Sequence, residues 1–283
     1  MKHVKTKRNS KKTNFHRKEI HSETIVLLQF FKAILLLPIA LISFMLGIKT
    51  KKDIANPIQI ISEYVTQAKF TFTIILINIV IFFTSLFFPR NWIEVLAISP
   101  SNLLNGRIYT LITSGFLHAN LAHLMSNMIF IFIFGRILER KFGSNKTGLI
   151  YFGAMIISGF FSSVIYFIMG KDILGIGASG ALMGLVAAAI LLDPFYITYV
   201  MLVPMPVMII GWIAIYGDII GILTPIETNI GHLAHLGGFL SISVLMYLFK
   251  KDERENFKKG FLINVISLFV AIILFTIFRS FIL

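Results

Sequence analysis

The sequence contains no cysteine and few charged side chains. Without cysteine, the chain forms no disulfide and offers neither a thiolate nucleophile nor a cysteine ligand for a metal. Charged residues make up 14% of the 283 residues and hydrophobic residues 57%, and the mean hydropathy is +0.85. One water-soluble core cannot bury that much apolar surface, so the composition predicts a membrane protein.

Acidic residues are also scarce, because 13 Asp and Glu accompany 26 Lys and Arg, which gives a formal net charge of +13. The basic residues lie in the N-terminal segment and in short stretches between apolar runs rather than on one folded face. We therefore expect no nucleic-acid partner. Residues 1–24 carry eight Lys and Arg, a composition that predicts a disordered cytosolic tail or one that lies along anionic lipid.

Eight apolar runs are candidates for membrane helices. The first, at 25–47, predicts an extra helix that is membrane-associated or transmembrane. The others lie, in chain order, at 72–88, 121–138, 148–169, 179–192, 206–223, 232–249 and 261–282. We predict an all-α polytopic membrane protein with a six-helix core at 72–249, a cytosolic linker at 250–260 and an extra C-terminal transmembrane helix at 261–283.

Lysine and arginine indicate how these helices are oriented. They are concentrated in the segments 48–70, 136–146 and 250–259, which the positive-inside rule places in the cytoplasm. The second, fourth and sixth core helices then begin at the outer surface. Polar residues lie at these same three helix starts, so the sequence predicts one polar site near the outer surface.

The first polar cluster begins the second core helix. Asn120 is suited to cap a helix that begins at Leu121. His123 and Asn127 are four residues apart and therefore share a face, where both can direct donors at one point. His118 lies in the loop before this helix. The same side chains would also suit a structural role, since polar groups often join membrane helices.

The second cluster surrounds Ser179 at the start of the fourth core helix. A helix from Ser179 to Leu192 has 14 residues and a length of about 21 Å, which is shorter than a hydrocarbon core of roughly 30 Å. Ser179 is therefore expected below the outer surface, and glycines such as Gly177 let the preceding loop descend to it. A serine there places its own N–H and the positive end of the helix dipole where an oxyanion would form.

Small residues predict which helices meet. Gly180 and Gly184 form a stripe on the fourth helix, and Gly238 on the sixth helix permits close approach to it, although such stripes often serve packing alone. That approach brings an imidazole near the serine, as the activation of a hydroxyl nucleophile requires. His232 and His235 share one helix face, so the residues alone leave both open as the general base.

Taken together, these motifs resemble the rhomboid family of intramembrane serine proteases. The family pattern combines a His-x4-His-x3-Asn helix, a Gly-x-Ser-Gly helix start and an Ala-His-x-x-Gly helix. The corresponding residues here are His118, His123 and Asn127, then Gly177, Ser179 and Gly180, then Ala234, His235 and Gly238. The resemblance covers about 72–249 and includes all six core helices in order.

The resemblance implies a catalytic dyad in which Ser179 is the nucleophile and His235 is the general base, with no aspartate to complete a triad. It also implies an oxyanion hole made by the backbone N–H of Ser179 and the side chains of His123 and Asn127. The residues in supporting roles would be His118, Gly177, Gly180, Gly184 and Gly238.

From the same resemblance we expect a serine endopeptidase that cuts transmembrane protein substrates within the lipid bilayer and needs no cofactor and no metal. The active site would open to the extracytoplasmic side, and the pattern fits a prokaryotic plasma membrane. The resemblance implies no particular substrate and no particular oligomeric state. Three positions depart from the family pattern: Met183 stands where an aromatic residue is common, Ile242 where a small residue is common, and Lys141 where arginine is usual.

Other chemistries fit the sequence less well. A zinc site needs ligands on one helix face, whereas His118 and His123 would point apart on a continuous helix. An aspartyl protease needs two facing carboxylates, and Asp218, which we interpret as interfacial or cavity-lining, is the single plausible one inside the bilayer. A transporter is an alternative, since broken helices also suit a solute pathway. A further alternative is a catalytically weak or inactive rhomboid-like protein that binds membrane clients.

Overall fold

The computed structural model describes residues 29, 32–48, 51–89, 91–200, 203–224 and 231–282. The predicted tail at 1–24 lies outside these residues. The chain divides into two compact units, with the boundary between Lys69 and Phe70.

Among the described residues, the first unit contains α1 (Lys32–Met45) and α2 (Lys51–Thr66). Helix α1 lies within the predicted run at 25–47. Its apolar side chains are largely exposed, as at Leu35 (73%) and Met45 (84%). A helix with such a surface favours contact with lipid, and the prediction that it is membrane-associated or transmembrane stays a prediction.

The second unit is built almost entirely of helices. In chain order they are α3 (Lys69–Ser85), α4 (Asn91–Leu96), α5 (Pro100–Leu104), α6 (Thr110–Thr113), α7 (Leu121–Phe142), α8 (Ser144–Ile168), α9 (Ser179–Leu192), α10 (Val207–Leu223), α11 (His232–Leu245) and α12 (Lys251–Ile282). A short 3-10 turn at Ser114–Phe116 precedes α7, and a second one at Met246–Leu248 extends α11.

At least three of the described helices are long and apolar enough to cross a membrane, namely Leu121–Phe142, Ser144–Ile168 and Lys251–Arg279. The shorter apolar helices α9, α10 and α11 pack beside them. The helices of the core follow in the predicted order. The protein is therefore an all-α, polytopic integral membrane protein.

Helix α9 lies at the centre of the second unit. It packs against α7, α8, α10, α11 and α12, and every residue from Gly180 to Ile190 is buried. Many of these residues are glycine or alanine, whose small size lets neighbouring backbones come close. The helix has the 14 residues predicted, from Ser179 to Leu192, so it is too short to cross a hydrocarbon core by itself.

The C-terminal helix is longer than predicted. The sequence predicts a linker at 250–260, but the structure contains one helix of 32 residues from Lys251 to Ile282. Lysine, glutamate and arginine are strong helix formers, and Asp252 and Glu253 in the first turn favour the positive end of the helix dipole. The charged segment is therefore helical, although it is too polar to enter lipid.

Helix α12 is anchored to the core by Asn264. Its Nδ2 donates to the carbonyl oxygen of Ile190 in α9 at 2.8 Å, and its Oδ1 accepts from Nε1 of Trp212 in α10 at 3.0 Å. Polar side chains that bond across helices stabilise packing inside a membrane. The extra C-terminal helix is thus bound to the centre of the fold.

A buried carboxylate joins three helices at one end of the bundle. Glu139, near the end of α7, accepts the backbone N–H groups of Phe70 and Thr71 at 2.8 and 2.9 Å, and these residues begin α3. It also accepts the hydroxyls of Thr71 at 2.8 Å and of Ser144, the first residue of α8, at 2.6 Å. The carboxylate therefore caps one helix start and contacts another.

Basic residues gather at the same end. Lys146 in the first turn of α8 forms an ion pair with Glu253 in α12, and Nζ of Lys141 lies 3.7 Å from Oδ2 of Asp193, which follows α9. The starts of α7, α9 and α11 consequently lie at the opposite end of the bundle, together with the end of α10. That separation agrees with the orientation that the charge pattern predicts.

A short hairpin between α9 and α10 was not predicted. Strand β1 (Ile197–Val200) pairs antiparallel with β2 (Val203–Pro206), with Ile197 opposite Pro206 and Val200 opposite Val203. Four-residue strands are too short to show a clear period in the sequence. The hairpin leaves the helical architecture unchanged.

Candidate active site

The first predicted cluster begins α7. Oδ1 of Asn120 accepts the backbone N–H of His123 at 2.8 Å, and the helix begins at Leu121, as the capping prediction requires. Asn127 follows one turn after His123 and is buried. The cap therefore fixes the position of both predicted oxyanion-hole side chains.

His123 and Asn127 border the loop that leads into α9. Gly177 in that loop has a φ of +122° and donates its N–H to the carbonyl oxygen of Ser114 at 2.9 Å. A Cβ on Gly177 would lie 2.7 Å from Cε1 and 2.8 Å from Nε2 of His123, and 3.8 Å from Nδ2 of Asn127. Both the backbone conformation and the available space require glycine two residues before Ser179.

The polar groups of this cluster are arranged as donors. The N–H of Ala119 lies 3.5 Å from Nδ1 of His123, a long contact that favours a lone pair on Nδ1 and the proton on Nε2. Nδ2 of Asn127 is buried and has no hydrogen-bond partner within the part of the chain that the structure describes. Nδ2 of Asn127 is therefore a donor that no described side chain or carbonyl oxygen occupies.

His118 packs beside His123 in the loop before α7. The ring centroids are 5.1 Å apart and the rings are tilted by 64°. Burial, with a smaller contribution from His123, lowers the pKa of His118 to about 4, so this ring is neutral at physiological pH. The structure therefore places His118 against His123, which is predicted to line the oxyanion hole.

Glycines bring the starts of α9 and α11 into contact. A Cβ on Gly238 would overlap the carbonyl oxygen of Gly180. A Cβ on Gly180 would lie 3.7 Å from the carbonyl oxygen of Ala234, the residue before His235. The first turns of α11 therefore pass directly beside the residue that follows Ser179, which is the close approach that the small residues predict.

The same interface continues below the site and includes α8. A Cβ on Gly184 would overlap Cβ of Ala154 in α8 and would lie 3.3 Å from Oγ of Ser241 in α11. Ser241 thus provides the small side chain at this contact, while the neighbouring Ile242 is buried elsewhere in the core. Met183 is also buried in this core, at the position where the family often has an aromatic residue.

One contributor from α8 was missed. Oγ of Ser158 lies where a Cβ of Gly180 would be, and Ser158 is buried. Its hydroxyl donates to the carbonyl oxygen of Met155 at 3.0 Å. A serine inside a long apolar helix carries no sequence signal that separates this position from other polar helix contacts.

Asp218 contacts both histidines of α11, which differs from the expected pair without an aspartate. Its Oδ1 lies 2.9 Å from Nδ1 of His235 and 2.8 Å from Nδ1 of His232. Asp218 is buried in α10, which packs against α11. The sequence marks Asp218 as a rare ionisable residue in an apolar run, but it does not show which turn of α10 faces α11.

The two histidines occupy different sides of this cluster. A Cβ on Gly221 of α10 would lie 2.5 Å from Cε1 of His232, so this ring is pressed against the α10 backbone. His235 follows Ala234, whose carbonyl oxygen would lie 3.7 Å from a Cβ on Gly180 of α9. The backbone contact therefore favours His235 over His232 as the histidine nearer to the start of α9.

Asp218, His232 and His235 are also the one group of described residues that could hold a metal ion, since their ligand atoms lie within 4.8 Å of one another. The distances of 2.8 and 2.9 Å to a single oxygen are those of hydrogen bonds, and a carboxylate oxygen readily accepts two N–H donors. Hydrogen bonding is thus sufficient to explain this arrangement.

Comparison with known proteins identifies the family to which these helices are similar. Residues 105–252, which include α7 to α11 and every predicted site residue, match the Rhomboid domain. The chain is similar to RHOMBOID-like protein 12, mitochondrial, of Arabidopsis thaliana, with 33% identity over 156 residues that cover 50% of this chain and 46% of the relative.

Two further relatives extend the comparison. Rhomboid-like protein 11, chloroplastic, of Arabidopsis thaliana is 30% identical over 202 residues, 65% of this chain and 67% of the relative. Putative rhomboid protease YdcA of Bacillus subtilis (strain 168) is 40% identical over 81 residues, 29% of this chain and 39% of the relative. Because these names refer to plant organelles as well as to a bacterium, they do not support the predicted prokaryotic plasma membrane.

The similarity covers only part of the relatives. The chain spans less than half the length of the first relatives it matches, 46% and 43% of them. The match to the Rhomboid domain, at 105–252, covers the part of the chain that contains the predicted site residues.

Proposed function

The chain belongs to the rhomboid family, and on that premise we propose that it is a serine endopeptidase that hydrolyses peptide bonds in or near transmembrane segments of other membrane proteins. The observation that carries the proposal is the backbone contact between Gly180 and Gly238. Through it the start of α9, with Ser179, lies beside the start of α11, with His235. An activated serine needs an adjacent general base, and two adjoining helix starts that carry a hydroxyl and an imidazole support that arrangement.

In the proposed reaction Oγ of Ser179 attacks the scissile carbonyl carbon while Nε2 of His235 takes the hydroxyl proton. The tetrahedral intermediate then collapses, and His235 delivers the same proton to the leaving amine. The resulting ester is hydrolysed when His235 takes a proton from water and returns it to Oγ. The two side chains thus account for every proton, without a cofactor.

The negative oxygen of the intermediate would be stabilised by three donors. The backbone N–H of Ser179 is at the start of α9, where the N–H groups of a helix have no partner within the helix. Nδ2 of Asn127 and Nε2 of His123 border the preceding Gly177. Donors fixed before the reaction begins stabilise a developing charge without reorganisation.

The side of the membrane follows from the basic end of the bundle. We place Lys141, Lys146 and the start of α12 in the cytoplasm, so the site opens to the extracytoplasmic side. Since α9 is too short to cross a hydrocarbon core, the site lies below that surface, within reach of a substrate helix in the surrounding lipid.

Cleavage of a single-span membrane protein tests the proposal. We expect the purified protein in detergent to cut such a substrate and to react with a serine-directed fluorophosphonate, and Ser179→Ala to abolish both. Ser162→Ala is the matched control, because Ser162 is also a buried helical serine but donates only locally, to the carbonyl oxygen of Gly159 at 3.1 Å.

The outcomes separate the candidate functions. Cleavage that survives Ser179→Ala would refute the assignment of the nucleophile. Retention of the substrate without cleavage and without fluorophosphonate labelling would instead favour a rhomboid-like protein that binds membrane clients.

A further inference from the structure

The carboxylate of Asp218 is placed to control the ring of His235. One oxygen, Oδ1, lies 2.9 Å from Nδ1 of His235, and the side chain of Asp218 is 9% exposed. An ionised carboxylate can only accept, so the hydrogen bond requires a proton on Nδ1. In a neutral imidazole the lone pair is then on Nε2, which is the atom that must take the proton of Ser179.

We propose that Asp218 is a positioning residue that holds His235 in the tautomer and orientation needed for proton transfer, and so makes the site a three-residue Ser179–His235–Asp218 system. The inference rests on the proposed function and deepens it. When His235 becomes an imidazolium during the reaction, the adjacent carboxylate also stabilises the positive charge.

His232 completes the arrangement by fixing Asp218. Its Nδ1 lies 2.8 Å from the same Oδ1, and its ring is pressed against Gly221 of α10. A carboxylate with a single donor could rotate away from His235, whereas two donors from successive turns of α11 hold Oδ1 in place. His232 therefore acts on the aspartate and has no direct part in proton transfer.

Steady-state kinetics of Asp218→Asn provide the first test. The substitution keeps the size of the side chain but removes the charge and allows the amide to present N–H to Nδ1, which favours the wrong tautomer. In serine proteases a change of this kind lowers kcat by up to about 10⁴-fold. We expect a fall in kcat of at least about 100-fold with KM within about threefold, and a parallel loss in the rate of fluorophosphonate labelling.

Asp193→Asn is the matched control. It removes a carboxylate that lies 3.7 Å from Lys141 at the opposite end of α9, and we expect kcat to stay within about threefold of wild type. His232→Phe should lie between these variants, with a loss of about tenfold, because Asp218 keeps its bond to His235 while the phenyl ring fills the space of the imidazole without a donor.

A spectroscopic test leaves Asp218 unchanged. In Ser179→Ala protein with ¹⁵N-labelled histidine, the ring of His235 should carry its proton on Nδ1, identified by comparison with Ser179→Ala/His235→Gln. This readout holds even if Asp218→Asn fails to fold. A proton on Nε2 of neutral His235 would overturn the proposal.

The remaining outcomes distinguish this inference from the proposed function. If Ser179→Ala and His235→Gln are inactive while Asp218→Asn stays within about threefold of wild type, the positioning role is wrong and the serine protease assignment stands. If chelator treatment abolishes wild-type cleavage and zinc restores it, the three side chains hold a metal, and the positioning role is again wrong.

Discussion

At the scale of single residues, Asn127 offers the most direct test of the oxyanion hole. Its buried Nδ2 has no partner among the described residues and faces the loop before Ser179. Loss of one such donor typically lowers kcat by about 10²–10³-fold. We expect Asn127→Ala to show that loss in the cleavage assay with little change in KM, since the bond forms mainly in the transition state.

Asn145→Ala is a suitable comparison, because Asn145 is exposed at the start of α8, at the basic end of the bundle. Its cleavage rate should equal that of wild type. An Asn127→Ala protein with wild-type kcat would show that the amide takes no part in catalysis.

The helix cap and the shared face could be predicted from the sequence because each belongs to a local motif. Asn120, His123 and Asn127 lie within one helix start, where spacing alone defines the face. Asp218 is different, since its partners are on another helix and separated from it by residues 219–231. Hydropathy does not define the rotation of α10 relative to α11, so the bonds from Asp218 to His232 and His235 could not be predicted.

At the scale of helices, the contact between α9 and α11 requires that residue 238 has no Cβ. A methyl group on Gly238 would overlap a backbone oxygen of Gly180, which cannot turn away as a flexible side chain could. Overpacking of this kind costs about 1–3 kcal/mol. We expect Gly238→Ala to lower the stability by that amount in detergent denaturation and to reduce cleavage strongly, because it separates the two helix starts.

Gly217→Ala in α10 is the matched substitution. A Cβ at Gly217 meets nothing within 4 Å, and alanine favours a helix over glycine by up to about 1 kcal/mol. This variant should be as active and at least as stable as wild type. Equal activity of Gly238→Ala would contradict the need for backbone contact at the site.

Helices were predicted more reliably than the segments between them. Long apolar runs define α7 and α8, and the glycine–serine start and the Asp193-Pro194 stop define α9. The charged residues after 250 form part of α12 because helix propensity does not require an apolar surface. Hydropathy detects only the part of a helix that lies in lipid. It therefore predicts that a helix begins where its apolar part begins.

At the scale of the whole molecule, Glu139 connects parts of the fold that are far apart in sequence. Oε1 accepts from Phe70 N and Ser144 Oγ, and Oε2 accepts from the N–H and hydroxyl of Thr71. In Glu139→Gln, one of these oxygens becomes an NH₂ group that faces two donors. A buried donor left unsatisfied costs about 1–3 kcal/mol, so we expect a loss of stability of at least that size in detergent denaturation.

Glu255→Gln provides the comparison, because Glu255 is half-exposed and pairs with Lys258 on the surface of α12. Such surface pairs contribute about 0–1 kcal/mol, so the stability should change little. Glu139→Gln should lower cleavage only in proportion to the unfolded fraction. A large fall in kcat of the fully folded variant would mean that Glu139 influences the site directly.

The unsatisfied amide of Asn127 also has a consequence for how this protein would respond to selection. The buried amide of Asn127 has no acceptor among the described residues, so its donor contributes less to the stability of the fold than we expect it to contribute to the transition state. An apolar side chain at position 127 would remove the buried polar group and raise the free energy of unfolding. It would also abolish turnover. A selection for thermal stability should therefore enrich variants that have lost both the amide of Asn127 and catalytic activity. High thermal stability in this fold would not indicate high activity.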